Sequence, residues 1–212
     1  MSQGRADDAR EHVAQTSQWG RASVRDVALD TLTFGRAHLA LALRSLETGV
    51  AAVPVGTDAR AAAGLFDEGV AGLRAAGQNE YVACGLLARA AFRRAIGNWD
   101  GAARDLDEVA EIAEPGPMRL FLCDCALERA RLALARREDF APLNGLVARS
   151  LPPPAPPDDA AAARLTEEAR VQFDAARRLI AECGYHRRDE ELSELDAVVA
   201  GRRRFADLPP RV

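Results

Sequence analysis

Residues 83–114 read ACGLLARAAFRRAIGNWDGAARDLDEVAEIAE, and the fold turns on this stretch. Gly97 separates two runs in which small and apolar residues return every three or four positions. That spacing stacks side chains on one face of a helix. In the second run Ala102, Leu106 and Val109 follow the order small, bulky, apolar. The small residue lets a neighbouring helix approach closely, and the bulky one fills the gap between the pair. Ala90 in the first run stands twelve residues before Ala102, across the turn Gly97-Asn98-Trp99-Asp100. Gly97 falls where a left-handed helix stop is needed. The stretch predicts two antiparallel helices, over 79–96 and 99–114, joined by one tight turn.

The same signatures extend outward. The triplet recurs as Ala9, Val13, Thr16, as Ala62, Phe66, Gly69, and as Ala169, Phe173, Ala176. The helices between share a second pattern: Phe34-x-Arg36-Ala37, Leu87-x-Arg89-Ala90 and Leu127-x-Arg129-Ala130, each with an alanine five later (Ala42, Ala95, Ala135). Two helix types, A and B, therefore alternate. Further helices are predicted over 5–18, 23–46, 58–76, 117–137, 160–183 and 188–200. The loop Val50–Thr57 and the stretch Arg137–Asp159 break the regularity; the second holds the polyproline-like run Pro152-Pro153-Pro154-Ala155-Pro156-Pro157. Ala37 to Ala62 is 25 residues and Ala130 to Ala169 is 39, against 12 in the middle unit, so the outer units carry insertions. The expectation is one all-α domain over 1–212. Residues 1–20 hold an unpaired B-type helix, 23–76 the first repeat, 79–114 the second, and 117–183 the third with its insertion at 137–159. The helix at 188–200 closes the array as a cap, with Leu192, Leu195, Val198 and Val199 on one face and Glu191, Glu194 and Asp196 on the other.

The middle unit resembles a tetratricopeptide repeat. The residues that carry the likeness are Ala90, the turn Gly97-Asn98-Trp99, then Ala102, Leu106 and Val109, with Pro115 closing the unit. Arg89 departs from the family, which usually has an apolar residue there. The resemblance implies an α-α superhelix of stacked hairpins. Gly4 stands five before Ala9, as Gly97 stands five before Ala102, so the first helix reads as a B helix without its A partner. The chain is thus expected to be the C-terminal part of a larger bacterial tetratricopeptide protein. Residues 175–195 also resemble the last repeat of large bacterial multidomain proteins with such arrays, signalling ATPases among them. The family's A helices line a concave groove for partner peptides. Carried over by position, the groove residues are Phe34, His38 and Leu41 of the first A helix, Leu87 and Arg94 of the second, and Asp124, Leu127 and Arg131 of the third. His38, Arg94 and Arg131 would then form a mildly basic stripe suited to a carboxylate. The competing reading makes His38 a partly buried imidazole with one hydrogen bond, and the arginines ordinary solvated side chains.

Composition narrows the function classes. The net charge is -4, which gives no footprint for general nucleic-acid binding. All 28 basic side chains are arginine, so neither a Schiff-base lysine nor a phosphate-loop lysine exists in this chain. No segment approaches the ~18 apolar residues of a membrane span. The polar start Met1–Arg10 and the four scattered cysteines point to a reducing cytoplasm, and the arginine and alanine bias to a bacterial source. Cys123-x-Cys125 with Cys183-x-x-His186 suggests a metal, but helical residues two apart point about 200° away from each other. No metal and no cofactor is expected. Asp105-x-Asp107-Glu108 and Asp189-Glu190-Glu191 read as solvated helix faces. No nucleophile context or triad spacing is visible, so no catalytic residue is expected and the chain is read as a non-enzyme. The favoured function is an interaction module that takes a peptide or protein partner in a concave groove. The alternatives are a structural module that self-associates through its N-terminal helix, and a ligand-sensing regulatory domain.

Overall fold

A computed structural model of the chain describes residues 23–49, 54–147 and 156–209. The helix expected over 5–18, with Ala9, Val13 and Thr16, lies outside the described residues, as do 50–53 and 148–155. Seven helices are described: α1 (Val24–Thr48), α2 (Val55–Ala76), α3 (Asn79–Ala95), α4 (Trp99–Ala113), α5 (Arg119–Arg137), α6 (Asp159–Cys183) and α7 (Asp189–Val199). No strand occurs among the described residues. The all-α expectation holds.

Local chemistry sets the ends. The Ser23 hydroxyl, the Asn98 side-chain oxygen and the Asp158 carboxylate accept the backbone N–H three residues on, at 3.2, 3.0 and 2.7 Å. Each satisfies one of the donors a helix start leaves open. At the central turn Gly97 has φ +80, the left-handed stop that the sequence pattern demands. One boundary differs. α2 begins at Val55, because Pro54 stands at its N-cap and accepts from the Thr57 N–H at 2.7 Å. Val55–Thr57 therefore belong to a helix, not to the expected loop.

Helices α1 and α2, α3 and α4, and α5 and α6 pack as three antiparallel hairpins in chain order. Each hairpin stacks on the next through α2 against α3 and α4 against α5. The A-type helices also touch, α1 on α3 and α3 on α5, so the array curves with α1, α3 and α5 inside. The B-helix triplets form the seams: Ala62, Phe66, Gly69, Ala102, Leu106, Val109, Ala169, Phe173 and Ala176 are all buried. Close approach explains the small residues. A Cβ on Gly69 would stand 2.7 Å from Leu32 Cδ2, and one on Gly85 would meet Leu73, Leu32 and Val70 at 3.0–3.2 Å. α1, α2 and α3 meet at Gly85, which locks the second hairpin onto the first.

Two features differ from the expected solvated faces. Asp105 is 2% exposed. It accepts from Arg89 Nε and Nη2 at 3.0 and 2.8 Å, and Arg93 Nη1 lies 2.8 Å away. Arg89 also donates to Asp67 of α2 at 3.1 Å, so this ion cluster joins two hairpins. Arg89 thus has a buried partner. Glu191 of the cap helix is likewise buried and paired. Leu195 and Val198 of α7 are fully buried, and α7 packs on α6. Leu143, inside the predicted insertion, is also fully buried, and its N–H donates to Ala95 O at 2.8 Å.

Candidate functional site

The inner faces of α1, α3 and α5 enclose two adjoining cavities. The smaller, of about 280 Å³, lies between the C-terminal halves of α1 and α3. Its walls are mostly apolar: Leu39, Leu43 and Leu46 of α1, Ala91 and Ala95 of α3, Phe140 and Pro142 after α5, and Phe205, Leu208 and Pro209 near the end of the described chain. The larger is an open trough of about 970 Å³, lined by Arg36, Cys84, Leu87, Phe121, Asp124 and Leu127, with Tyr185, Arg187, Arg188 and Glu190 along one side. Ala91, Arg131, Glu194 and Pro209 border both.

A continuous chain of ion pairs crosses this face. Arg94 of α3 donates to Glu128 of α5 at 2.6 Å. Glu128 lies 3.6 Å from Arg131, which donates to Glu191 of α7 at 2.7 Å. Glu191 accepts from Arg188 at 2.5 Å, and Arg188 donates to Asp124 at 2.9 Å. Three guanidiniums and three carboxylates balance, so the face has no net basic stripe. The network also fixes the cap against α5. Burial pushes the Glu191 carboxyl up, but Arg131 and Arg188 outweigh it and hold the group below the usual glutamate range. Burial of Asp124 wins over Arg188 and leaves its carboxyl above the usual aspartate range.

Of the residues expected in the groove, Leu87, Arg94, Asp124, Leu127 and Arg131 line these cavities. Phe34, His38 and Leu41 line neither. The reason is a two-residue register difference in α1. The close-packed position is Gly35, whose added Cβ would stand 3.2 Å from the Phe66 ring, whereas Ala37 is only half-buried. Gly35 therefore matches Ala90 and Ala130, and α1 turns Arg36, Leu39 and Leu43 towards the cavities. The His38 Nδ1 instead bonds Asp58 of α2 at 2.7 Å. The imidazole is thus partly buried and bonded to the other helix of its own hairpin.

The cysteines divide as the helical geometry requires. The Cys125 thiol donates to Leu106 O of α4 at 3.3 Å, while Cys123 faces Cys183. Burial pushes both the Cys123 and Cys125 thiols up to about 11, so neither is a ready nucleophile. Among the described residues no group of three or more His, Cys, Asp or Glu is placed to hold a metal ion, and no helix is long and apolar enough to cross a membrane.

Sequence reasoning missed Glu128 and Glu191 of the ion chain and the segment Phe205–Pro209. The i, i+3 spacings Glu128–Arg131 and Arg188–Glu191 were the available signal for the first. A lone phenylalanine behind three arginines, followed by Leu208-Pro209, was the signal for the second. No family model, curated protein or solved structure matches the chain.

Proposed function

We propose that this chain is a non-catalytic interaction module, related to tetratricopeptide repeats, that takes a short segment of a protein partner on its concave face. The observation that carries this reading is the pairing of an apolar cavity with a larger, charge-balanced trough along one face built from rigid helices. Apolar anchors supply most of the affinity of such a site, and its polar rim sets orientation. Charge balance argues for an amphipathic segment over a highly acidic one, which replaces the carboxylate partner that a basic stripe would favour. The helices are held by their own hairpins, so little ordering is needed on binding.

The test is a random peptide library panned against the full-length chain, with the affinities of the selected peptides measured by titration. Ala91 borders both cavities, so Ala91→Arg places a long charged side chain in the path of any occupant. The expected result is a loss of at least about tenfold in affinity at an unchanged melting temperature. Selected peptides that bind the variant as tightly as the wild type would place the binding surface elsewhere.

A further inference from the structure

The end of the described chain lies in the face just described. After α7 the backbone turns back through Arg202 and Arg203, whose N–H groups both donate to Ala197 O. Residues 201–204 are exposed, and then Phe205 is 5% exposed. Its ring meets Phe140 edge-on at 6.2 Å between centroids, and the Arg94 guanidinium lies 5.7 Å from its centre. The Glu138 carboxylate accepts the Phe205 N–H at 2.8 Å and the Ala206 N–H at 3.1 Å. Phe205–Asp207 form one 3-10 turn, so these are the open donors at its start. Leu208 follows in extended conformation, half-buried, and lines the apolar cavity with Pro209.

This is a recognition geometry complete in itself. The carboxylate reads main-chain N–H groups, which any residue supplies, and the Phe140–Arg94 niche reads an aromatic ring. We propose that Phe205–Pro209 is a built-in occupant of the concave face and that it specifies the partner. The partner is a protein segment with an aromatic residue and, three positions on, a leucine, which displaces the chain's own copy and forms the same turn on Glu138. The inference rests on the groove reading and gives it a chemistry. Only one large side chain of the segment, Phe205, is buried, and exposed residues connect it to α7, so it exchanges without opening a hairpin. A short tether holds such a segment at an effective concentration of roughly mM. A partner must exceed that threshold, and the adjoining trough offers the additional contacts to do so.

The experiment uses a fluorescent peptide of residues 202–209 (RRRFADLP) and the full-length chain. In one form the chain is wild type; in the other, Phe205→Ala with Leu208→Ala removes the anchors of its own segment. The peptide is expected to bind the double variant at least about tenfold more tightly than the wild type. The same peptide carrying Phe205→Ala keeps its three arginines and is expected not to bind. Equal affinity for the two chains, or no binding to a double variant with native helicity, overturns the proposal. A second measurement keeps it testable should the double variant unfold. In Glu138→Gln, amide exchange at Phe205 and Ala206 is expected to rise about tenfold while α5 is unaffected, and unchanged exchange overturns the proposal. A wild-type dimer that Phe205→Ala dissolves would assign the segment to a second copy and also overturns it. Library peptides that bind through Ala91 without competing with RRRFADLP remove this inference and leave the groove reading standing.

Discussion

Asp105→Ala is the sharpest probe of how the stacked hairpins are joined. The carboxylate is 2% exposed and takes two hydrogen bonds from Arg89, with Arg93 2.8 Å away. Its loss leaves two largely buried guanidiniums with Asp67, whose side chain is 68% exposed and which lies 3.1 and 3.7 Å from them. Breaking a buried ion pair from one side costs about 3–5 kcal/mol. Asp67 offsets part of that, so the lower end, about 3 kcal/mol, is expected. For a chain of this length that corresponds to a fall of about 6–12 °C in Tm. Replacing both Arg89 and Asp105 by leucine removes one of the two stranded charges and leaves Arg93 with Asp67 and the Gly101 carbonyl. The double variant is therefore expected to recover at least about half of the loss. Thermal and urea unfolding of the three chains, followed by helical circular dichroism, measure both quantities. A single variant within about 1 kcal/mol of wild type, or a double variant no more stable than the single, would refute the reasoning.

Three further outcomes follow from the packing and the charges. Phe66 is fully buried, lies against Gly35 and has its ring 5.3 Å from that of Phe92, so Phe66→Ala should cost about 3–5 kcal/mol in urea unfolding. Gly69→Ala puts a methyl group 2.7 Å from Leu32 and should cost about 1–3 kcal/mol, whereas Gly64→Ala, with nothing within 4 Å, should be neutral or stabilising. Burial pushes Glu138 up, but the Phe205 and Ala206 N–H groups and Arg137 outweigh it, so its folded carboxyl lies below the ordinary value of 4.5. A lowered folded value means that the contact stabilises above that pH and is lost as pH falls below it. Protection of the Phe205 amide, corrected for intrinsic exchange, should drop on acidification from pH 6 to below about 4, and the response should vanish in Glu138→Gln.

The hairpins were legible because their signals are local. Gly97 with Asn98 marks the central turn, and Ala102, Leu106 and Val109 mark a seam; both follow from helical spacing alone. The groove was legible where the A helix carries an alanine at the close-packed point, as at Ala90 and Ala130. It failed in α1 because Gly35 performs that role while the nearby Ala37 mimics it. With two small residues two apart, spacing cannot choose between them; contact with Phe66 does. Asp105 and Glu191 were misread for a related reason. Sequence shows a carboxylate on a helix but not the arginine that arrives from another helix, and here Arg89 and Arg131 arrive from 16 and 60 residues away. The role of Phe205 depends on Glu138, 67 residues earlier in the chain, and no periodicity spans that distance.

Hydrogen exchange of the full-length chain with and without a saturating selected peptide tests the concave face most directly. The account predicts new protection in α1, α3 and α5, centred on residues 36–43, 84–95 and 120–131, with exchange in α2, α4 and α6 unchanged. Protection gathered on α2, α4 and α6 instead would contradict it, because the partner would then sit on the outside of the curve.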